Sequence, residues 1–228
     1  MRYHLVAIVR SRYDAVAIVR SRYDAVAIVR SRYDAVAIVR SRYDAVAITL
    51  HWVIALGILA LIIMGLSMTH LGLAPLAKFQ LYQLHKSIGI TVLLAVLLRI
   101  LWRLSHRPPP LPAMPPLEKA AAEGTHGLLY VLMLIIPLSG WALVSVSPFN
   151  LPTVLYGVVP WPHLPVFPDL ANKAAVETVV KFIHGKLAWL LTAVILLHAA
   201  AALRHHFLLR DRILARMLPG RTAKEPRS

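Results

Sequence analysis

The chain has 228 residues, of which 58% are hydrophobic and only 15% are charged, and its mean hydropathy is +0.65. Soluble domains carry about 25% charged residues, so this composition excludes an ordinary soluble fold and indicates a membrane protein. The absence of cysteine excludes disulfides, thiolate metal sites, iron–sulfur clusters and cysteine nucleophiles.

Lysine and arginine number 25 against 10 aspartate and glutamate residues, which gives a formal net charge of +15. Such basicity is also typical of nucleic-acid-binding proteins, but here the basic residues avoid the apolar stretches. Nine arginines lie in residues 1–42, and seven basic residues lie from Arg204 to Arg227. The positive-inside rule produces this bias. We therefore predict that the protein has no nucleic-acid partner. We expect the arginines to face anionic lipid head groups on the cytoplasmic side.

The N-terminal residues form a tandem repeat of period ten. The sequence SRYDAVAIVR begins at Ser11, Ser21 and Ser31. On a helix, ten residues turn through about 80° less than three full turns. The apolar patch would therefore shift around the helix from one copy to the next and form no continuous apolar face. We predict that residues 1–40 are a poorly ordered repeat without a specific function. Arginine interrupts every apolar run, which excludes a signal peptide.

Four later apolar runs are long enough to cross a bilayer, which requires about 20 helical residues. An even number of spans places both termini on one side, and the arginine bias makes that side the cytoplasm. The predicted fold is therefore all-α, an integral membrane four-helix bundle with both termini cytoplasmic, over residues 41–219, with a basic tail at 220–228. The prolines from Pro108 to Pro116 predict an extended segment after the second span, and residues 147–180 predict a long outer loop. The predicted spans are Ile48–Thr69, His85–Leu104, His126–Val146 and Phe182–Leu203.

Histidines within the spans are the candidate functional residues, because an ionisable side chain in the membrane is costly and marks function by default. His184 and His198 are separated by 14 residues. They therefore lie within about 40° of one helix face and about 21 Å apart along the axis, which suits two stacked centres. The alternating direction of the spans places His51 beside His198 near the cytoplasmic face, and His85 beside His184 near the outer face.

Each of these pairs joins two helices at one depth, which is how helical bundles hold cofactors. The spans contain no carboxylate and the chain no cysteine, so zinc and di-iron sites are poorly provided for. Two neutral imidazoles suit the axial positions of a b-type haem, and the sequence predicts two haem b groups. A hydrogen bond across helices is the alternative for any single histidine.

His126, at the cytoplasmic start of the third span, is the main rival ligand. We expect it to hydrogen-bond a haem propionate or a loop carbonyl instead. The other histidines are expected in loops, at the membrane surface or in the repeat: His4, His70, His106, His163, His205 and His206.

A flat macrocycle between helices needs small residues and cationic partners for its propionates. Four glycines supply the space, although ordinary helix packing explains each of them equally well: Gly57, Gly65, Gly89 and Gly140. The cations for the outer haem would be Lys86 and Lys186. For the inner haem they would be Arg99, Arg103 and Arg204, and snorkelling toward lipid phosphate is the alternative for all five.

Six motifs in this order resemble the bacterial cytochrome b561 family of four-helix, di-haem membrane proteins. They are RYDAVAITLHW at 42–52, LHKSIG at 84–89, RILWRL at 99–104, PLSGW at 137–141, FIHGKLAW at 182–189 and LLHAAAALRHHF at 196–207. The resemblance covers residues 41 to 219 and implies that the haem ligands are His51, His85, His184 and His198. It also implies single-electron transfer to a quinone or a protein acceptor in the bacterial inner membrane. One branch of the family oxidises superoxide and reduces ubiquinone, and related branches are cytochrome b subunits of dehydrogenases and hydrogenases. The decapeptide repeats depart from the family pattern.

We therefore predict an electron relay, with oxidoreductase activity of the superoxide:quinone type as one form of it. An outer cationic rim would steer superoxide or an acidic redox protein, although scattered solvated lysines explain it equally well. The rim consists of Lys78, Lys86, Lys173, Lys181 and Lys186. Two alternatives stay open. One is a non-redox transporter lined by histidines, against which the lack of intramembrane carboxylates counts, and the other is a structural anchor subunit.

Overall fold

The structure is a computed structural model that describes Arg20 and residues 22–26, 28–30, 42–110, 114–165, 167 and 170–220. The chain divides into two compact units, residues 1–42 and residues 43–228. In the first unit, Arg20 and residues 22–26 and 28–30 are helical. Most of the predicted repeat segment, and residues 221–228 of the predicted basic tail, lie outside the described residues.

The second unit is built from four long helices: α1 (Ala45–His70), α2 (Pro75–Ser105), α3 (Pro116–Val146) and α4 (Lys173–Phe207). All four are long and apolar enough to cross a membrane, and each contains one predicted span. The prediction of an all-α membrane bundle with four spans is confirmed. The side on which the termini lie stays a prediction.

Local sequence signals set where these helices begin. Pro75 and Pro116 occupy the first turns of α2 and α3, where a proline costs no hydrogen bond. Pro116 was expected in the extended proline segment, and this expectation is wrong because the first helical turn needs no amide hydrogen from it. Asp44 caps α1 by accepting a hydrogen bond from the Ala47 amide at 2.9 Å. Partial burial raises the pKa of the Asp44 carboxyl, but hydrogen bonds from Ala47 and Trp102 outweigh this effect and hold the pKa below its ordinary value.

The helices pack in sequence order, α1 on α2, α2 on α3 and α3 on α4. Gly57 allows the close approach of α1 to α2, because a Cβ atom there would lie 2.6 Å from Val92 Cγ2. Large apolar side chains on the outside, such as Leu56 and Leu101, are exposed, as expected for surfaces that face lipid. The buried core between the helices is aliphatic and consists of Ile54, Ile58, Val92, Val96, Leu132, Leu191 and Val194.

A β-hairpin lies in the connection between α3 and α4. Its strands β1 (Thr153–Leu155) and β2 (Val159–Trp161) are antiparallel, and Thr153 pairs with Trp161. Strand β1 packs against α2. At the opposite end of the bundle, a 3-10 helix (Leu214–Arg216) packs against α4, and the Met217 carbonyl accepts a hydrogen bond from the Trp52 indole at 2.7 Å. We call these two ends the hairpin end and the terminal end.

Candidate functional site

At the hairpin end, α2 and α4 bring His85 and His184 together. Their ring centroids are 6.4 Å apart and the ring planes are inclined at 73°. Both rings line a cavity of about 390 Å³. Glycines keep side chains away from this cavity: Gly65, Gly89 and Gly140 line it, and a Cβ atom at Gly140 would lie 3.1 Å from His184 Cε1.

A hydrogen-bond chain fixes the orientation of the His184 ring. The Ser139 hydroxyl donates to the Ile136 carbonyl at 2.7 Å, and Ser139 Oγ lies 2.9 Å from His184 Nδ1. Because a hydroxyl has one hydrogen, Ser139 Oγ accepts from an Nδ1–H of His184. The proton is therefore on Nδ1, and the lone pair of Nε2 is free for a metal.

His85 lacks such a partner. Its Nδ1 is buried and makes no hydrogen bond within the part of the chain that the structure describes. Leaving a buried polar atom unpaired costs about 1–3 kcal/mol. The ring therefore lies beside the cavity without the polar contacts that ordinarily stabilise a buried histidine.

At the terminal end, α1 and α4 bring His51 and His198 together. Their ring centroids are also 6.4 Å apart, with an interplanar angle of 66°. His126, from α3, lies closer to His198, with 5.3 Å between ring centroids. Three of the four helices thus contribute a histidine at this end.

Two arginines interact electrostatically with these rings, Arg99 with all three and Arg103 with His126. Arg99 donates to the Ala47 carbonyl at 3.0 Å and to the Tyr130 hydroxyl at 3.1 Å. The guanidinium groups of Arg99 and Arg103 lie 6.0 and 5.8 Å from the centroid of the Tyr130 ring. This arrangement places two fixed positive charges beside the terminal-end histidines.

Comparison with known proteins identifies the class of this bundle. The family described as prokaryotic cytochrome b561 matches residues 42–220. The chain belongs to this family. It is 33% identical over 169 residues to cytochrome b561 homolog 2 of Escherichia coli (strain K12), which covers 74% of this chain and 86% of that protein. It is 32% identical over 173 residues to the probable superoxide oxidase CybB of Yersinia pestis. The matched region covers 75% of this chain and 92% of that protein. Cytochrome b561 homolog 1 of Escherichia coli (strain K12) is 30% identical to this chain over 140 residues. These residues cover 60% of this chain and 74% of that protein.

Membership of the cytochrome b561 family implies haem b, and the hairpin end of this cytochrome fits that group. An iron held between two imidazoles by bonds of about 2 Å, the length usual for imidazole ligation, leaves a gap of about 4 Å between the two nitrogens. The ring centroids lie farther back on each side, which agrees with the observed 6.4 Å. The cavity, the lone pair on His184 and the glycine lining complete the fit.

Several charged residues that the sequence singled out lie elsewhere in the cytochrome. The ammonium group of Lys186 lies 5.4 Å from the centroid of the Phe182 ring, and Arg204 forms an ion pair with Glu118 at 3.1 Å. Lys86 and Lys181, in contrast, line the hairpin-end cavity. Among the surface histidines, His106 stacks on Trp102 and His205 binds Asp211.

Sequence reasoning missed three residues beside the hairpin-end histidines. Ser139 orients His184, and His70 and Trp161 line the cavity. Ser139 stands beside Gly140 in PLSGW, and a small hydroxyl residue within a span is a signal for hydrogen bonding across helices. No local sequence signal predicts that Trp161 lines the cavity, because the tertiary fold of the β-hairpin, and not a helix, brings this residue to the bundle.

Proposed function

We propose that this chain is a di-haem cytochrome that carries single electrons between the two faces of the bacterial inner membrane. The observation that carries the proposal is a repeated one: two histidine pairs, each between different helices, both with 6.4 Å between ring centroids. Haem b, when bound, takes up and releases one electron at a time.

The histidines of these pairs would be the axial ligands. His85 and His184 would hold one haem, and His51 and His198 the other. A haem held in this way by two protein histidines would supply electron relay and would not bind oxygen. Ser139 would keep the proton on Nδ1 of His184 and so leave the lone pair of Nε2 available to the iron.

Between the two pairs the chain excludes water. The aliphatic core lies between the helices, and Val96 in it has no exposed surface. A low-dielectric layer of this kind opposes the passage of ions and protons. The apolar core would therefore keep ions and protons from following an electron that passes between the two histidine pairs.

We propose superoxide and ubiquinone as donor and acceptor. The similar protein from Yersinia pestis is named a probable superoxide oxidase, and the cations Lys86 and Lys181 line the hairpin-end cavity, where they would attract a small anion. Two superoxide ions would release two electrons and form two molecules of oxygen. One ubiquinone would take up these two electrons and two protons to form ubiquinol.

The orientation follows from the charge bias. Basic residues lie at the C-terminal ends of α2 and α4, among them Arg103, Arg107 and Arg204, and we propose that this end of the bundle faces the cytoplasm. Superoxide would then react on the outer side. Reporter fusions after Ser105 and within the hairpin connection would give cytoplasmic and external signals, and the reverse result would contradict the orientation.

Spectroscopy of the purified membrane protein tests the proposal. Dithionite-reduced minus oxidised spectra should show low-spin b haem, at about two haems per chain by the pyridine haemochrome assay. His198→Ala should remove one haem and leave the other, and His163→Ala, in the external connection, should keep both. A colourless protein from haem-replete cells would contradict the proposal and would favour the transporter or anchor alternatives.

A further inference from the structure

The β-hairpin is fixed to α2 at its tip. The Tyr156 amide donates to Ser87 Oγ at 2.9 Å, and the Tyr156 hydroxyl lies 2.8 Å from Thr91 Oγ1. Tyr156 adopts a left-handed backbone conformation with φ of 52°, which disfavours a bulky residue unless its surroundings hold it. Ser87 is almost completely buried. The tip therefore has one defined position, next to the helix that carries His85.

The end of the hairpin is fixed to α3. The Trp141 indole donates to the Pro162 carbonyl at 2.9 Å, and the Leu164 amide donates to Ser145 Oγ at 2.9 Å. The rings of Trp141 and Trp161 lie 5.6 Å apart between centroids. Trp161 is thus held between two attachments, one on α2 and one on α3.

The Trp161 indole N–H is the unexplained polar group of this region. Trp161 lines the same cavity as His85 and His184. Its Nε1 atom is buried and has no hydrogen-bond partner among the described residues. A buried donor of this kind usually finds an acceptor, and such an acceptor can come from the group that fills the cavity.

The chemistry around the donor favours an anionic acceptor. Lys86 and Lys181 line the cavity as well, so an indole donor and two ammonium groups border a space whose other lining is largely aliphatic and aromatic. Ionised acceptors make shorter and stronger hydrogen bonds than neutral ones. Haem b is an apolar macrocycle, and its propionate carboxylates are the groups that could act as this anionic acceptor.

We propose that Trp161 is a positioning residue that donates its indole N–H to a propionate carboxylate of the haem at the hairpin end. This inference rests on the proposed function. The hairpin then has a role in cofactor binding: its attachments to Ser87 and Ser145 place the donor, and the donor fixes the rotation of the macrocycle about the axis between His85 and His184.

The test compares Trp161→Phe with Trp102→Phe in the full-length haem-loaded protein. Phenylalanine keeps an aromatic ring against Trp141 and removes the N–H. Trp102 lies at the terminal end, outside the lining of this cavity, and its indole donates to the Asp44 carboxylate at 3.1 Å, so its replacement controls for the loss of an indole hydrogen bond elsewhere in the bundle. Transfer of haem to an excess of apomyoglobin should be about five- to tenfold faster in Trp161→Phe, the effect of one lost hydrogen bond, and unchanged in Trp102→Phe.

A second arm identifies the acceptor. Reconstitution with haem dimethyl ester removes the carboxylate charges, and the difference between wild type and Trp161→Phe should shrink. Ultraviolet resonance Raman spectra, wild type minus Trp161→Phe, should show a hydrogen-bonded indole in the loaded protein and a free indole after haem removal. A hydrogen-bonded indole in both states would assign the acceptor to water and overturn the proposal. Equal transfer rates for wild type and both variants would also overturn it, whereas a wild type that binds no haem would contradict the proposed function itself.

Discussion

Ser139 Oγ lies 2.9 Å from Nδ1 of His184, and because its hydroxyl donates to the Ile136 carbonyl we assign it as the acceptor of an Nδ1–H bond. An acceptor on the far nitrogen makes an imidazole more basic and a better ligand for oxidised iron. The structure provides this bond for one histidine of the hairpin-end pair and leaves Nδ1 of its partner, His85, unpaired among the described residues.

Ser139→Ala should raise the midpoint potential of the hairpin-end haem, because oxidised iron loses the support of the more basic ligand. A neutral hydrogen bond of about 0.5–1.5 kcal/mol corresponds to about 20–60 mV for a one-electron couple. Redox titration monitored at the α band measures this shift. Ser67→Ala is the matched control, because among the described residues that hydroxyl bonds only to the Ile63 carbonyl of its own helix. An equal shift in both variants would contradict the assigned role of Ser139.

His51 and His126 compete for the place opposite His198, and we expect His51 to be the ligand. The His126 ring lies 5.3 Å from His198, about 1 Å nearer than His51, and this leaves too little room for iron between the two nitrogens. His51→Ala should therefore lose one haem, and His126→Phe should keep about two, as counted by the pyridine haemochrome assay. Loss of a haem in His126→Phe alone would reverse the assignment.

Gly140→Ala should disturb the hairpin-end haem. The added Cβ atom would lie 3.1 Å from His184 Cε1, so the ring must move by a few tenths of an ångström. The expected results are a lower occupancy of this haem and a shifted low-spin signal in electron paramagnetic resonance spectra. Gly124→Ala, on the same helix, meets no atom within 4 Å and should behave as wild type.

The contact between His205 and Asp211 holds the segment after α4 at the terminal end. Burial raises the pKa of Asp211, but hydrogen bonds from the Ile213 amide and from His205 outweigh it and lower the pKa below its ordinary value of 3.8. A lowered folded-state pKa means that the contribution to stability is complete well above pH 3.8 and is lost as the pH falls through the folded-state pKa.

Asp211→Asn should therefore lower the melting temperature at pH 7 slightly. The loss should be no more than about 1 kcal/mol, because the pair is partly exposed. The difference from wild type should shrink as the pH falls below 3.8 and through the lowered folded-state pKa of Asp211, because the wild-type carboxyl then becomes protonated as well. Thermal melts in detergent followed by circular dichroism measure both values. A difference that persists unchanged at low pH would contradict this account.

The amino-acid sequence determined the four helices and the grouping of the histidines. Apolar runs of about 20 residues, with charges only at their ends, specify spans because the bilayer offers no partner for backbone or charge. The spacing of 14 residues from His184 to His198 fixes depth and face by helix geometry, and in the structure these residues lie opposite His85 and His51. That they are haem ligands stays a prediction.

Only the tertiary structure decided which side chains surround these histidines. The bond between Ser139 and His184, the approach of His126 to His198 and the place of Trp161 in the cavity each join residues from different helices or from a loop. Hydropathy and helical period describe one segment at a time. The rotation of each helix about its own axis, and the path of the hairpin back onto α2, are set by packing between segments, which leaves no periodic trace in the sequence.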